Sequence, residues 1–149
     1  MSIKVKISKR RISYKIAMKF LDKRVEELKS KKGKELLWIL EHPLTYSAGI
    51  RFNDKEILDK KIKIIKTNRG GKITLHNPGQ KVIYFVLNLN NRKKDVRKLI
   101  SCIEKSIIEI LKLYKINGKT DKKNIGIWVN NKKIAAIGLR ISKWIAYHG

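Results

Sequence analysis

Cysteine is almost absent from this 149-residue chain, Cys102 being the single example. No disulfide can therefore form within it, and no cage of cysteines is available for zinc. Histidine is nearly as scarce. His42, His76 and His148 are scattered without the short spacing of a ligand set, so no metal is expected. No apolar run approaches the roughly 18 residues that a membrane helix needs. The segment Ile3 to Lys9 alternates apolar with polar residues, as a strand does and a signal peptide does not. A cytoplasmic protein without membrane association is the expectation. Aromatic residues make up only 7% and are not interleaved with a basic stripe, which leaves no stacking platform for a nucleic acid.

The largest shortage is of acid. Twelve Asp and Glu face 37 Lys and Arg, a formal charge of +25. Such an excess has three readings: neutralisation of nucleic-acid phosphates, steering of acidic protein partners, or a compositional bias without a binding role. The excess is mainly Lys, accompanied by much Ile and Asn, and is spread along the chain. That distribution suits bias best and acidic partners next; no nucleic-acid partner is expected. The length fits one domain with one core. With 42% hydrophobic and 33% charged residues, the chain falls in the folded globular range.

Periodicity outlines the elements. Ile3–Lys9 is a strand, and from Ser13 to about Lys32 the apolar residues Ala17, Phe20, Leu21, Val25 and Leu28 recur at helical spacing. Ser13 is placed to cap that helix and Gly33 to end it. Leu36–Leu40 is apolar on both faces, as in a buried strand. Residues 41–54, with Pro43, Gly49 and small polar side chains, predict a loop. Strands are expected at 62–65, 72–75 and 82–87, and a second helix over about 94–114, with an apolar stripe from Val96 to Tyr114. Residues 125–129, 132–139 and 141–147 complete the strands, with Asn130-Asn131 as a hairpin turn. The order predicts an α+β domain spanning 1–149, its two long helices packed on a mixed β-sheet. The last strand reaches Gly149 with no closing element, so an exposed sheet edge and a chain cut at its C-terminal end are expected.

The segment most able to carry chemistry is Arg69-Gly70-Gly71-Lys72-Ile73-Thr74-Leu75-His76-Asn77-Pro78-Gly79-Gln80. Paired glycines allow close backbone approach to a ligand, an Arg fork can hold an anion or carbonyl, and Thr74 and His76 share one face of a strand. The same residues suit a glycine hairpin with a satisfied histidine at its edge. Local chemistry does not separate the two.

The whole string is, however, very similar to the signature of the octanoyltransferases. So are Glu41-His42-Pro43 through Gly49, Asn124–Val129 with Lys132–Arg140, and Tyr147-His148-Gly149, in that order along the chain. The resemblance implies a biotin/lipoate protein ligase-like fold and transfer of an octanoyl group from octanoyl-acyl carrier protein. The acceptor would be a lysine of lipoyl domains, namely those of 2-oxoacid dehydrogenase complexes and of the glycine cleavage H protein. No cofactor is implied. By position, Arg69, Gly70, Gly71, Lys72, Ile73, Thr74, Leu75 and His76 would line the acyl pocket. Ala136, Ile137 and Gly138 would form a second wall, and Tyr147, His148 and Gly149 a third. Lys133 falls at the lysine that lowers the pKa of the family's acyl-accepting cysteine; an ammonium beside a thiol stabilises the thiolate.

Two departures stand out. Asn77 replaces a usual glycine, and the family's cysteine lies beyond the His-Gly motif, so impaired acyl transfer is expected of residues 1–149. Cys102, beside Ile103 on the second helix, is expected to be a buried, inert substitute for an aliphatic residue. Two alternatives remain: a lipoate- or biotin-protein ligase that uses ATP, and a non-catalytic module that binds acyl groups or acidic partners.

Overall fold

The computed structural model describes residues 2–121 and 123–149. In chain order the elements are β1 (Ile3–Ile7), α1 (Tyr14–Lys29), β2 (Glu35–Leu40), β3 (Thr45–Ala48), β4 (Ile64–Lys66), β5 (Ile73–His76), β6 (Val82–Asn88), α2 (Val96–Leu113), β7 (Lys119–Thr120), β8 (Gly126–Val129), β9 (Lys132–Ala136), β10 (Leu139–Ser142) and β11 (Ile145–His148). They form two compact units, Met1–Arg92 with Gly138–Gly149, and Lys93–Ile137. The α+β class is borne out. The strands divide among three sheets instead of joining one.

The larger unit is built on a five-stranded sheet in the order β1-β2-β6-β11-β10, antiparallel except for the β1–β2 pair. Four of the five residues of the expected stripe are buried on α1, Ala17, Leu21, Val25 and Leu28. The fifth, Phe20, is half-buried at its edge, and Tyr14, which the pattern did not include, is buried at the start of the helix. The four stripe residues belong to the core. They pack on Leu36, Trp38 and Leu40 of β2, Tyr84 and Val86 of β6, and Ile145 and Tyr147 of β11. Trp38 keeps its indole N–H satisfied by donating to Ser8 Oγ at 2.9 Å. At the start of β2, burial alone would raise the Glu35 carboxyl. The Arg92 guanidinium and the Asn88 N–H outweigh that and hold it below the ordinary carboxylate range.

Several boundaries differ from expectation, each for a local reason. Ser13 occupies the N-cap position of α1 but makes no capping hydrogen bond. The helix ends at Ser30, where Lys31 turns left-handed (φ 59°), and Gly33 lies beyond it. Residues 45–48 are a strand, not loop: β3 pairs in parallel with β4 and antiparallel with β5 to make a second, three-stranded sheet. The expected strand at 141–147 is broken by a turn at Lys143 and Trp144, at φ 47° and 60°, and supplies parts of both arms of the hairpin β10–β11. That hairpin puts the last strand inside the sheet. β11 lies between β6 and β10, so its backbone is paired on both sides and is not an exposed edge.

The smaller unit carries α2 on the antiparallel sheet β7-β8-β9. Asp95 caps α2, accepting from Lys98 N–H at 2.8 Å. Cys102 is exposed, contrary to expectation. Adjacent helix positions lie about 100° apart, so the residue beside buried Ile103 is carried off the inner stripe.

Candidate functional site

In the larger unit the chemistry centres on Arg69. Its side chain is only 8% exposed and reaches back into its own loop. Nη1 donates to the Gly70 carbonyl oxygen at 2.8 Å, and Nη2 donates to the Ser47 and Lys72 carbonyl oxygens, each at 2.8 Å. Nη2 and Nε also donate to Ser47 Oγ at 3.0 and 3.3 Å. The fork expected to hold a substrate carbonyl is thus turned inward, and what it shapes is the Gly70-Gly71 backbone. No carboxylate among the described residues pairs with it. Burial lowers the Arg69 pKa, opposed by the neighbouring Tyr14 and Tyr84.

Glycine is required where this loop meets its neighbours. A Cβ on Gly49 would stand 2.7 Å from the Gly70 carbonyl oxygen, and a Cβ on Gly70 would stand 2.8 Å from that of Leu139. Ladder bonds from Gly49 to Lys72 and from Ile50 to Arg69, both 3.0 Å, close the loop against the end of β3. Gly138 N–H donates to the Gly149 carbonyl oxygen at 2.6 Å. Residues 69–72, Gly138 and Gly149, drawn from three of the sequence motifs, therefore meet in one backbone cradle.

Two histidines border it. His76, at the end of β5, has Nε2 3.0 Å from Ser47 Oγ. Burial, His42 and Arg69 push its pKa down to about 4. His148 is 2% exposed, sits at φ 68° and stacks on Tyr147. A non-glycine residue held in left-handed backbone inside a strand is strained, and such strain clusters at functional sites. The Asn68 Oδ1 lies 2.6 Å from His148 Nε2, and the Asn68 carbonyl oxygen accepts from Arg140 Nη1 at 2.8 Å. Burial, Arg69 and Arg140 bring the His148 pKa to about 4 as well. His148 and Asn68 also line a groove of about 520 Å³ with Tyr14, Met18, Ile65 and Thr67. That volume falls in the range, about 300–1,000 Å³, of small-molecule sites.

The remaining expected residues fall elsewhere. Lys72 and Leu75 point to solvent, and Lys72 pairs with Glu56; Ile73 and Thr74 are half-buried. Lys133, Ala136 and Ile137 belong to the smaller unit. There Gly126, at φ 138°, leaves room for the Lys133 stem, whose Cδ and Cε would lie 3.3 Å from a Cβ at that position. Lys133 Nζ donates to the Ile125 carbonyl oxygen at 3.1 Å and lies over the Trp128 ring at 4.8 Å. A bulge between Ile127 and Trp128 sets the register, pairing Trp128 with Lys133, and bulges commonly re-aim a side chain near active sites.

Residues 13–149 match the family described as the lipoyl protein ligase A/B catalytic domain. Over 148 residues the chain is 44% identical to an octanoyltransferase of a Wolbachia of Brugia malayi, covering 96% of this chain and 72% of the relative. An octanoyltransferase of Bartonella tribocorum is 37% identical over 158 residues, covering 97% and 64%. The chain belongs to the octanoyltransferase family. The family is one of acyltransferases. Among solved structures, lipoate-protein ligase A bound with ATP superposes at TM-score 0.74 with 15% identity, covering 99% of this chain and 66% of that one. A bipartite lipoate protein ligase from Thermoplasma acidophilum gives 0.64 and 14%, covering 99% and 62%. The chain spans slightly less than two thirds of both, and at these identities the likeness is one of fold, the lipoate ligase-like fold expected from the sequence.

Sequence reasoning missed Ser47, Tyr14, Tyr84 and Asn68. Only Ser47 carried a signal, as a small polar residue next to Gly49 within a quoted motif. The others act through packing against partners distant in the chain.

Proposed function

We propose that this chain binds the octanoyl group of octanoyl-acyl carrier protein and serves its transfer to the lysine ε-amine of lipoyl domains. Those domains are carried by 2-oxoacid dehydrogenase complexes and the glycine cleavage H protein. The observation that carries the reading is the Arg69-supported Gly70-Gly71 cradle, closed by Gly138 and Gly149 and bordered by neutral His76 and His148. Residues 1–149 act as one catalytic domain in this reading, with Arg69 to His76, Ala136 to Gly138 and Tyr147 to Gly149 serving the acyl substrate. Main-chain N–H groups aimed at a thioester oxygen are the kind of stabilisation that acyl transfer demands, and this reading assigns that role to the Gly70-Gly71 segment.

In the family chemistry an enzyme thiolate displaces the carrier thiolate from the acyl carbon. The acceptor amine then displaces the enzyme thiolate, giving an amide and returning the thiol. Lys133 is proposed as the group that stabilises that thiolate and moves the protons. The covalent half of the reaction is proposed to be impaired in residues 1–149, because their single thiol, Cys102, is exposed on α2 and outside the matching motifs.

Intact-mass analysis after incubation with octanoyl-acyl carrier protein tests this. Non-covalent retention of the octanoylated carrier without an adduct on Cys102 is expected. A stable octanoyl thioester on Cys102 would overturn the assignment.

A further inference from the structure

Ser47 is fully buried at the inner end of β3, and the order of its hydrogen bonds decides the state of a neighbour. Its Oγ lies within 3.3 Å of Arg69 Nε and 3.0 Å of Nη2, and 3.0 Å from His76 Nε2. A guanidinium can only donate, so it occupies the lone pairs of the hydroxyl oxygen. The hydroxyl hydrogen is left for His76 Nε2, which must then be the acceptor nitrogen. The ring proton of neutral His76 accordingly sits on Nδ1.

That Nδ1 is buried and has no hydrogen-bond partner among the described residues. The adjacent imidazole, 5.2 Å away, differs. His42 Nδ1 lies 2.6 Å from the Ile12 carbonyl oxygen and donates to it, while Nε2 accepts from the Tyr84 hydroxyl at 2.8 Å. Both nitrogens of His42 are satisfied. His76 alone of the two keeps an N–H without an acceptor, a costly condition for a buried donor and one that an added acceptor would relieve.

We propose that Ser47 is a positioning residue: held by Arg69, its hydroxyl locks His76 in the Nδ1–H form and makes it a fixed donor to the carbonyl oxygen of a bound acyl thioester. The proposal rests on the acyl-binding reading above and adds a role to it. His76 serves as a donor and not as a base, and Arg69 reaches the substrate through two intermediaries.

Side-chain nitrogen NMR of the full chain, combined with binding of S-octanoyl-pantetheine and of S-octyl-pantetheine, which lacks the carbonyl, provides the test. The wild type should show His76 protonated at Nδ1 and bind the thioester roughly three- to tenfold more tightly than the thioether, the worth of one hydrogen bond. Ser47→Ala should release the tautomer and abolish the preference, and Ser47→Thr should restore both. Ser47→Ala leaves Arg69 its backbone acceptors at residues 47, 70 and 72, so folding is expected to survive. A His76 protonated at Nε2 in the wild type overturns the lock. Equal affinity for the two compounds overturns the contact with the carbonyl. Failure of both to bind overturns the acyl-binding reading, and the carbonyl contact with it, while the NMR result still decides the lock.

Discussion

Neutral imidazoles are the residues through which pH should act on this protein. His76 and His148 have pKa values of about 4 in the folded chain, against about 6.5 for an exposed histidine. Between those limits the unfolded chain binds more protons than the folded one, so stability must fall as pH drops from about 6.5 toward about 4. Below that window both states are protonated and these two groups contribute no further loss. Above it their contribution is complete. The combined effect is on the order of a few kcal/mol. His42, also lowered by burial, acts in the same direction. Urea unfolding at pH 7 and pH 4.5 should show the lower midpoint at pH 4.5, with His76→Gln and His148→Gln each flattening the dependence. A midpoint that holds steady over this range would mean that the histidines are not buried as neutral rings.

Elements show which parts of the fold the sequence announces. The two hairpins β8–β9 and β10–β11 are turned by the same left-handed pair of residues, with φ of 47° and 61° at Asn130-Asn131 and 47° and 60° at Lys143-Trp144. Asn tolerates that conformation and advertises it; Lys and Trp do not. The first turn was legible for that reason, and the second was hidden inside what looked like one strand. The same logic covers β3. Its Ser47-Ala48-Gly49 run resembles loop composition, but small residues are needed there because Arg69 and the Gly70-Gly71 backbone press against it. The helices were readable because each shows its own periodicity, whereas the sheet order depends on partners far apart in the chain. Replacing Lys143 with Asn should ease the second turn and stabilise the protein by about 0.5–1 kcal/mol. Equilibrium urea denaturation of Lys143→Asn measures this, and a loss of stability would show that Lys143 makes a contact worth more than the backbone strain.

At the scale of the whole molecule, the formal charge of +25 and the proposed octanoyl site should make separable contributions to partner binding. Charge attracts any acidic protein and is screened by salt, over a Debye length of about 10 Å at 0.1 M. A fitted acyl group adds apolar contact that salt does not screen. The family was legible in the sequence because four of its motifs follow one another in the family's order. The inward turn of Arg69 was not, since it depends on the carbonyl oxygens of residues 47 and 72. Both contributions can be read in one titration of the isotopically labelled protein with octanoylated and acyl-free acyl carrier protein at low and high salt. At high salt, amide shifts that persist only with the octanoylated carrier and concentrate at Arg69–His76, Gly138 and Tyr147–Gly149 are the predicted result. Identical shifts with both carriers, spread over surface lysines and lost together as salt rises, would contradict it.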